Sequence, residues 1–104
     1  MCRAIIQICS SDENFYIYRS KDGYPECCGL EFLAVTKKYE SNCNTKQIAT
    51  DMANLPNCEA VACERGDESY KYVLDCETGV ISTFVNLNDN LGGWVNMCGR
   101  YRRY

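Results

Sequence analysis

The sequence predicts an α+β fold, and three observations carry that prediction. Two short β-rich runs open the chain, two amphipathic helical stretches fill its middle, and β-branched or aromatic runs close it. The order β-β-α-α-β-β-β favours an antiparallel sheet of four or five strands with two helices packed on one face, because that arrangement buries both helical stripes at once. At 104 residues, the chain is read as one domain, 1–104.

The elements follow in order. Residues 3–9, RAIIQIC, alternate as a strand, with Ala4, Ile6 and Ile8 on one face and Ile5, Gln7 and Cys9 on the other. The polar run 10–14, SSDEN, turns the chain into a second strand at 15–19, FYIYR, making a hairpin. Asp22-Gly23 breaks that strand with a tight turn, and Pro25 sets the backbone for the first turn of a helix. Cys28, Phe32, Val35 and Tyr39 recur at helical spacing beside Leu33, so a helix is predicted over 25–39. Gly29 inside its first turns costs about 0.5–1 kcal/mol relative to alanine, which points to close approach of the first hairpin's backbone.

After a loop at 40–44, Thr45 is placed as the cap of a second helix carrying Ile48, Met52 and Leu55 on one side with Ala49 and Ala53 near them, stopped by Pro56. Strands are predicted at 59–63, 69–75 and 80–86, separated by turns at 65–68 and 77–79. A loop at 87–93 leads to a final short element, strand or helical turn, over 94–104. Tyr16, Tyr18, Tyr70 and Tyr72 are assigned to one open face of the sheet.

Composition narrows the function classes. Apolar residues make up 46% and charged residues 24%, which is ordinary for a globular protein. No apolar run approaches the roughly 20 residues of a membrane span, and MCRAIIQIC is too short and too alternating for a signal peptide. The expected location is therefore the cytoplasm, with no membrane partner. The formal charge is −3, but the last five residues hold three of the eleven basic groups, leaving eight against fourteen acidic ones over residues 1–99. An acidic body argues against nonspecific nucleic-acid binding and suits a partner with a basic surface.

The nine cysteines and absent histidine speak against two further classes. An odd cysteine count, no export signal and a sufficient stock of Ile, Leu and Val argue against a disulfide scaffold. No C-x2-C pair exists: Cys27 and Cys28 are adjacent, and Cys58 and Cys63 are C-x4-C. A structural zinc site is built from closer pairs. Most of the cysteines are expected to be reduced and packed as small hydrophobes, with no metal and no cofactor. The alternative is a metal or thiol protein using Cys27, Cys28, Cys58 and Cys63. Glu26 and Glu31 would raise the pKa of the adjacent thiols, although a helix N-terminus would lower it.

Nothing in the sequence assembles an active site, so no enzyme activity is expected. Histidine, the usual general base at neutral pH, is missing. A nucleophilic Cys27 or Cys28 would lack an imidazole partner. No Walker loop or dinucleotide fingerprint is present. Arg65-Gly66-Asp67 reads as a chance turn. What remains is recognition. Tyr16, Tyr18, Tyr24 and Trp94, with acidic neighbours, are the residue type that anchors interfaces. Arg19, Lys21, Asp22 and Tyr24 gather at the corner, and RYRRY adds Arg100 and Arg102, the chemistry of phosphate contact and stacking. Protein binding is the first reading from this set, and a small nucleotide held by Arg19, Lys21, Tyr24 and the terminal arginines is the alternative.

CRAIIQI at 2–8 followed by FYIYRSKDGYPECCG at 15–29 resembles a family of small proteins of phages, prophages and their bacterial hosts. These open with an R-A-x-I strand and continue with a Y-R-x-x-D-G-Y-P-x-x-x-G signature. Arg3, Ala4, Ile6, Tyr18, Arg19, Asp22, Gly23, Tyr24, Pro25 and Gly29 match, over roughly the first third of the chain. Cys27 and Cys28 depart from the small or aliphatic residues of the pattern. The family has no established activity. The resemblance implies a mobile-element setting, and by analogy an inhibitor of a host defence protein, anti-CRISPR-like, acting by protein–protein contact in the host cytoplasm.

Overall fold

The computed structural model describes residues 2–86 and the backbone of Trp94–Asn96. β1 (Ala4–Cys9) and β2 (Asn14–Arg19) form the predicted hairpin, in register from Ala4 opposite Arg19 to Cys9 opposite Asn14. Its turn is closed by the Ser10 N–H donating to the Glu13 carbonyl at 2.9 Å.

The corner after β2 works as expected, with one exchange of roles. Asp22 takes the left-handed conformation at φ 57°, which aspartate tolerates. Gly23 is needed for space: a Cβ there would lie 2.8 Å from Ala4 Cβ and 2.9 Å from Ala4 N. A close approach of backbone is thus found at Gly23, between the corner and β1. The Gly23 N–H donates to the Cys2 carbonyl at 3.0 Å, and its own carbonyl accepts the buried Tyr72 hydroxyl at 2.6 Å.

The predicted helix 25–39 is two pieces. Pro25–Gly29 is one wide π-turn, and α1 runs Leu30–Lys37. Pro25 contributes no donor where none is needed, and the Tyr24 carbonyl accepts the N–H groups of Cys27, Cys28 and Gly29 at 3.0, 2.8 and 3.4 Å. α2 (Thr45–Ala53) is capped by Asn44, whose side chain accepts from Gln47 N at 3.1 Å. Thr45, the expected cap, lies one residue inside and donates its hydroxyl to Glu13 at 2.6 Å.

β3 (Cys58–Val61), β4 (Tyr70–Asp75), β5 (Val80–Asn86) and β6 (Trp94–Asn96) complete a six-stranded sheet in the order β3-β2-β1-β4-β5-β6. The α+β class and the element order match the sequence reading. The sheet, however, is mixed: β1 and β4 are parallel neighbours, while every other pair is antiparallel. β3 adds outside β2 and so runs with β1. The segment 62–69 then crosses β2 and β1 to start β4 in that same direction.

Both helices lie on one face. Ala4, Ile6 and Ile8 of β1, Ile17 of β2, Tyr72 and Leu74 of β4 and Ile81 of β5 meet Cys28, Phe32 and Val35 from the first helical segment and Ile48, Ala49 and Met52 from α2. Full burial of a side chain such as Phe32 or Ile48 contributes about 1.5–3 kcal/mol each. Tyr72 belongs to this core and is fully buried, with Tyr70 packed against it. These two tyrosines share the helical face, not the open face assigned from sequence. Cys43 and Cys76 form a disulfide joining the loop before α2 to the turn after β4, an exception to the reduced state expected of most cysteines, while Cys2, Cys9, Cys27, Cys28, Cys58 and Cys63 are free thiols. Among the described residues, no helix is long and apolar enough to cross a membrane.

Candidate functional site

The corner gathers Arg19, Lys21, Asp22 and Tyr24 but does not leave Arg19 exposed. Arg19 is only 5% accessible. Its Nε donates to the Lys21 carbonyl at 2.7 Å, and its Nη1 donates to both Glu31 oxygens at 2.9 and 3.2 Å. Burial opposes the Arg19 cation, but the Glu31 bond and the neighbouring Cys28 and Cys58 sulfurs outweigh it, so its pKa is raised. This guanidinium is committed to the fold. Lys21 and Asp22 are exposed. Tyr24 is also exposed, with its ring 6.3 Å from that of Tyr70. Arg100 and Arg102 lie outside the described residues, and of Trp94 only the backbone, paired with Asn86, is described.

Tyr16 and Tyr18 sit on the other side of the sheet, across from the helices. The crossing segment 62–69 covers Tyr18 there. The Tyr18 hydroxyl donates to the Asp67 carboxylate at 3.0 Å, and the Arg65 guanidinium lies 4.3 Å above its ring. Arg3 pairs with Asp67 at 3.6 Å and Arg65 with Glu59 at 2.7 Å. Glu68 is buried and accepts the Arg65 and Gly66 N–H groups at 2.6 and 2.8 Å. The Arg-Gly-Asp turn is therefore a strap whose aspartate and arginine both face Tyr18. Tyr16 is half-buried and accepts from the Asn14 amide at 3.2 Å.

Four of the described thiols are arranged against reactivity. Burial pushes Cys28 up to about 12, and it also raises Cys2, Cys9 and Cys58. Thiolate is the reactive form, so these sites disfavour it. Cys27 and Cys63 are exposed. Among the described residues, no three Cys, Asp or Glu side chains are grouped so as to hold a metal ion.

Of the concave surfaces among the described residues, one has a mainly apolar lining. A groove of about 420 Å³ opens between α2 and the strands β2 and β3. Lys46, Ala49, Thr50 and Ala53 line one wall at helical spacing; Phe15, Ile17, Ala60 and Val61 line the other. Lys46 is the one charged residue on its lining. Lys46 pairs with no carboxylate among the described residues. The small side chains make the groove: a leucine at 49, 53 or 60 would fill it. The sequence signal was faint, since alanines beside an apolar stripe read as helix surface and carry no chemistry.

No protein-family model, curated protein or solved structure matches this chain.

Proposed function

We propose that this chain is a non-enzymatic binding protein that acts by occupying a surface of a partner protein. The observation that supports this reading is the groove between α2 and β3, an apolar concavity beside an edge strand in a molecule whose Arg19, Tyr18 and Glu68 side chains are all engaged internally. Concave apolar surfaces with few polar groups are where ligands and partner segments dock. The resemblance of the first third to phage and prophage proteins makes a bacterial defence protein the partner class, with blockage of its working contact as the action. The acidic excess over residues 1–99 favours a partner carrying a basic surface around the contacted segment.

The test is affinity capture from a bacterial host lysate with two baits, the native chain and Ala53→Glu, which puts a charge in the groove. The expected result is one stoichiometric partner on the native bait and none on the variant. Recovery of no partner at micromolar bait, or equal recovery on both, would remove this reading.

A further inference from the structure

The hydrogen-bond phase of the sheet shows which groups of β3 are left over. Pairs in an antiparallel ladder alternate between those that exchange N–H···O bonds and those that do not. The Ser20 N–H donates to the Asn57 carbonyl at 3.0 Å. In the β2–β3 register, Tyr18 with Glu59 and Tyr16 with Val61 are then the bonded pairs. Within β3 the backbone groups of Cys58 and Ala60 face away from β2. The first of these is already used, because the Cys58 N–H donates to the Leu55 carbonyl at 3.2 Å. Among the described residues no strand lies beyond β3, so the N–H and C=O groups of Ala60, with Ala62 just past the strand's end, form an open ladder edge, and both residues are exposed. The same two residues line the groove.

An open edge beside an apolar groove specifies its occupant. The edge offers donors and acceptors at strand spacing, and the groove takes the side chains that a strand projects to one side. We propose that β3 receives an extended peptide segment of the partner as a seventh strand, with aliphatic side chains at alternate positions in the groove and a carboxylate beside Lys46. This deepens the binding-protein reading and rests on it. The carboxylate follows from Lys46, the only charge on the lining. Its end of the groove is fixed by the Thr45–Glu13 bond, which holds the first turn of α2 at the β1–β2 turn, level with Ala62. A second copy of this chain is a poorer occupant: its own β3 would bring only the methyl groups of Ala60 and Ala62 into a groove of about 420 Å³.

The probe is a pair of synthetic peptides of about nine residues, alternating valine and threonine, one ended by two aspartates and the other by two lysines. Binding is read by fluorescence anisotropy and by amide hydrogen exchange on the full chain. The aspartate peptide should bind at micromolar concentration, about tenfold more tightly than the lysine peptide, and Lys46→Glu should reverse the order. The amides of Ala60 and Ala62 should gain protection on binding. Ala60→Pro removes one outward N–H that the sheet does not use, so it should leave the melting temperature unchanged. It should weaken the peptide about 10–100-fold, the cost of leaving a buried carbonyl without its donor. Full binding by Ala60→Pro, no binding by either peptide, or a dimer in light scattering that Ala60→Pro dissolves would overturn the proposal. A partner captured equally well by native and Ala60→Pro baits, but lost on Ala53→Glu, would overturn strand addition alone and leave the binding-protein reading standing.

Discussion

β2 and β3 border two regions that have the same strands and opposite fates. At one end, Arg19, Glu31, Cys28 and Cys58 close into a knot in which the buried charge has a carboxylate, a carbonyl and two sulfurs around it. At the other, Phe15, Ile17 and Ala60 face α2 across an unfilled groove with an open strand edge at its margin. The residues with the most chemistry are consumed by folding, and the residues with the least are left facing solvent. A charged side chain is not a binding residue until its internal partners have been counted.

Perturbing the two regions should separate them, and the largest effect is expected in alkali. The Cys28 thiol is held up to about 12 by burial, from an ordinary value of 9.0. Below pH 9 it is protonated in both the folded and unfolded chains and contributes no pH dependence. Above that, the unfolded chain releases a proton that the folded chain keeps, so stability falls as pH rises toward 12, by up to about 1.4 kcal/mol per unit. Urea unfolding at pH 8 to 12 should show that slope, and Cys28→Ala should reduce it, leaving the smaller part that the raised Cys2, Cys9 and Cys58 thiols contribute.

Next is Arg19→Ala, which removes a packed stem and every bond of the knot; about 3 kcal/mol is expected. Glu31→Ala should cost less, about 2 kcal/mol, because the Glu31 side chain keeps 38% exposure and water can replace it in part. Chemical denaturation of both variants checks the order. The disulfide closes a sequence separation of 33, so paired Cys43→Ser and Cys76→Ser substitutions should cost about 2–3 kcal/mol. They should also loosen the start of α2, read as faster exchange of its first-turn amides.

Smaller effects follow. Tyr72→Phe strands the Gly23 carbonyl without the hydroxyl that meets it at 2.6 Å; about 1.5 kcal/mol is expected by thermal unfolding. The smallest are in the groove. Thr50→Glu and Ala60→Pro should each change stability by no more than about 0.5 kcal/mol while abolishing or weakening partner binding. A groove variant that destabilised as much as Arg19→Ala would erase the distinction between the two regions.

What could be read from the sequence was local. The alternation in β1, β2, β4 and β5 and the stripe Ile48–Met52 mark their elements because side-chain periodicity is set by neighbouring residues. The parallel pairing of β1 with β4 was hidden, since alternation has no direction and depends on a crossing segment that reads as a turn. Tyr70 and Tyr72 share one face of β4, but it is the helical face and not the open one, because the Tyr72 hydroxyl finds its acceptor on Gly23, 49 residues away. Arg19 looked available for the same reason: Glu31 lies beyond the turn that brings it back. The disulfide joins two cysteines with no spacing motif. The groove is defined by what its alanines lack, and an absence of side chain leaves no pattern to find.

Amide hydrogen exchange along residues 59–62 of the unliganded chain tests the open edge most directly. Slow exchange at Glu59 and Val61 with fast exchange at Ala60 and Ala62 is the pattern expected of a strand bonded on one side only. Protection of Ala60 and Ala62 equal to that of their neighbours would mean that the edge is already covered, and the recognition surface would have to lie elsewhere.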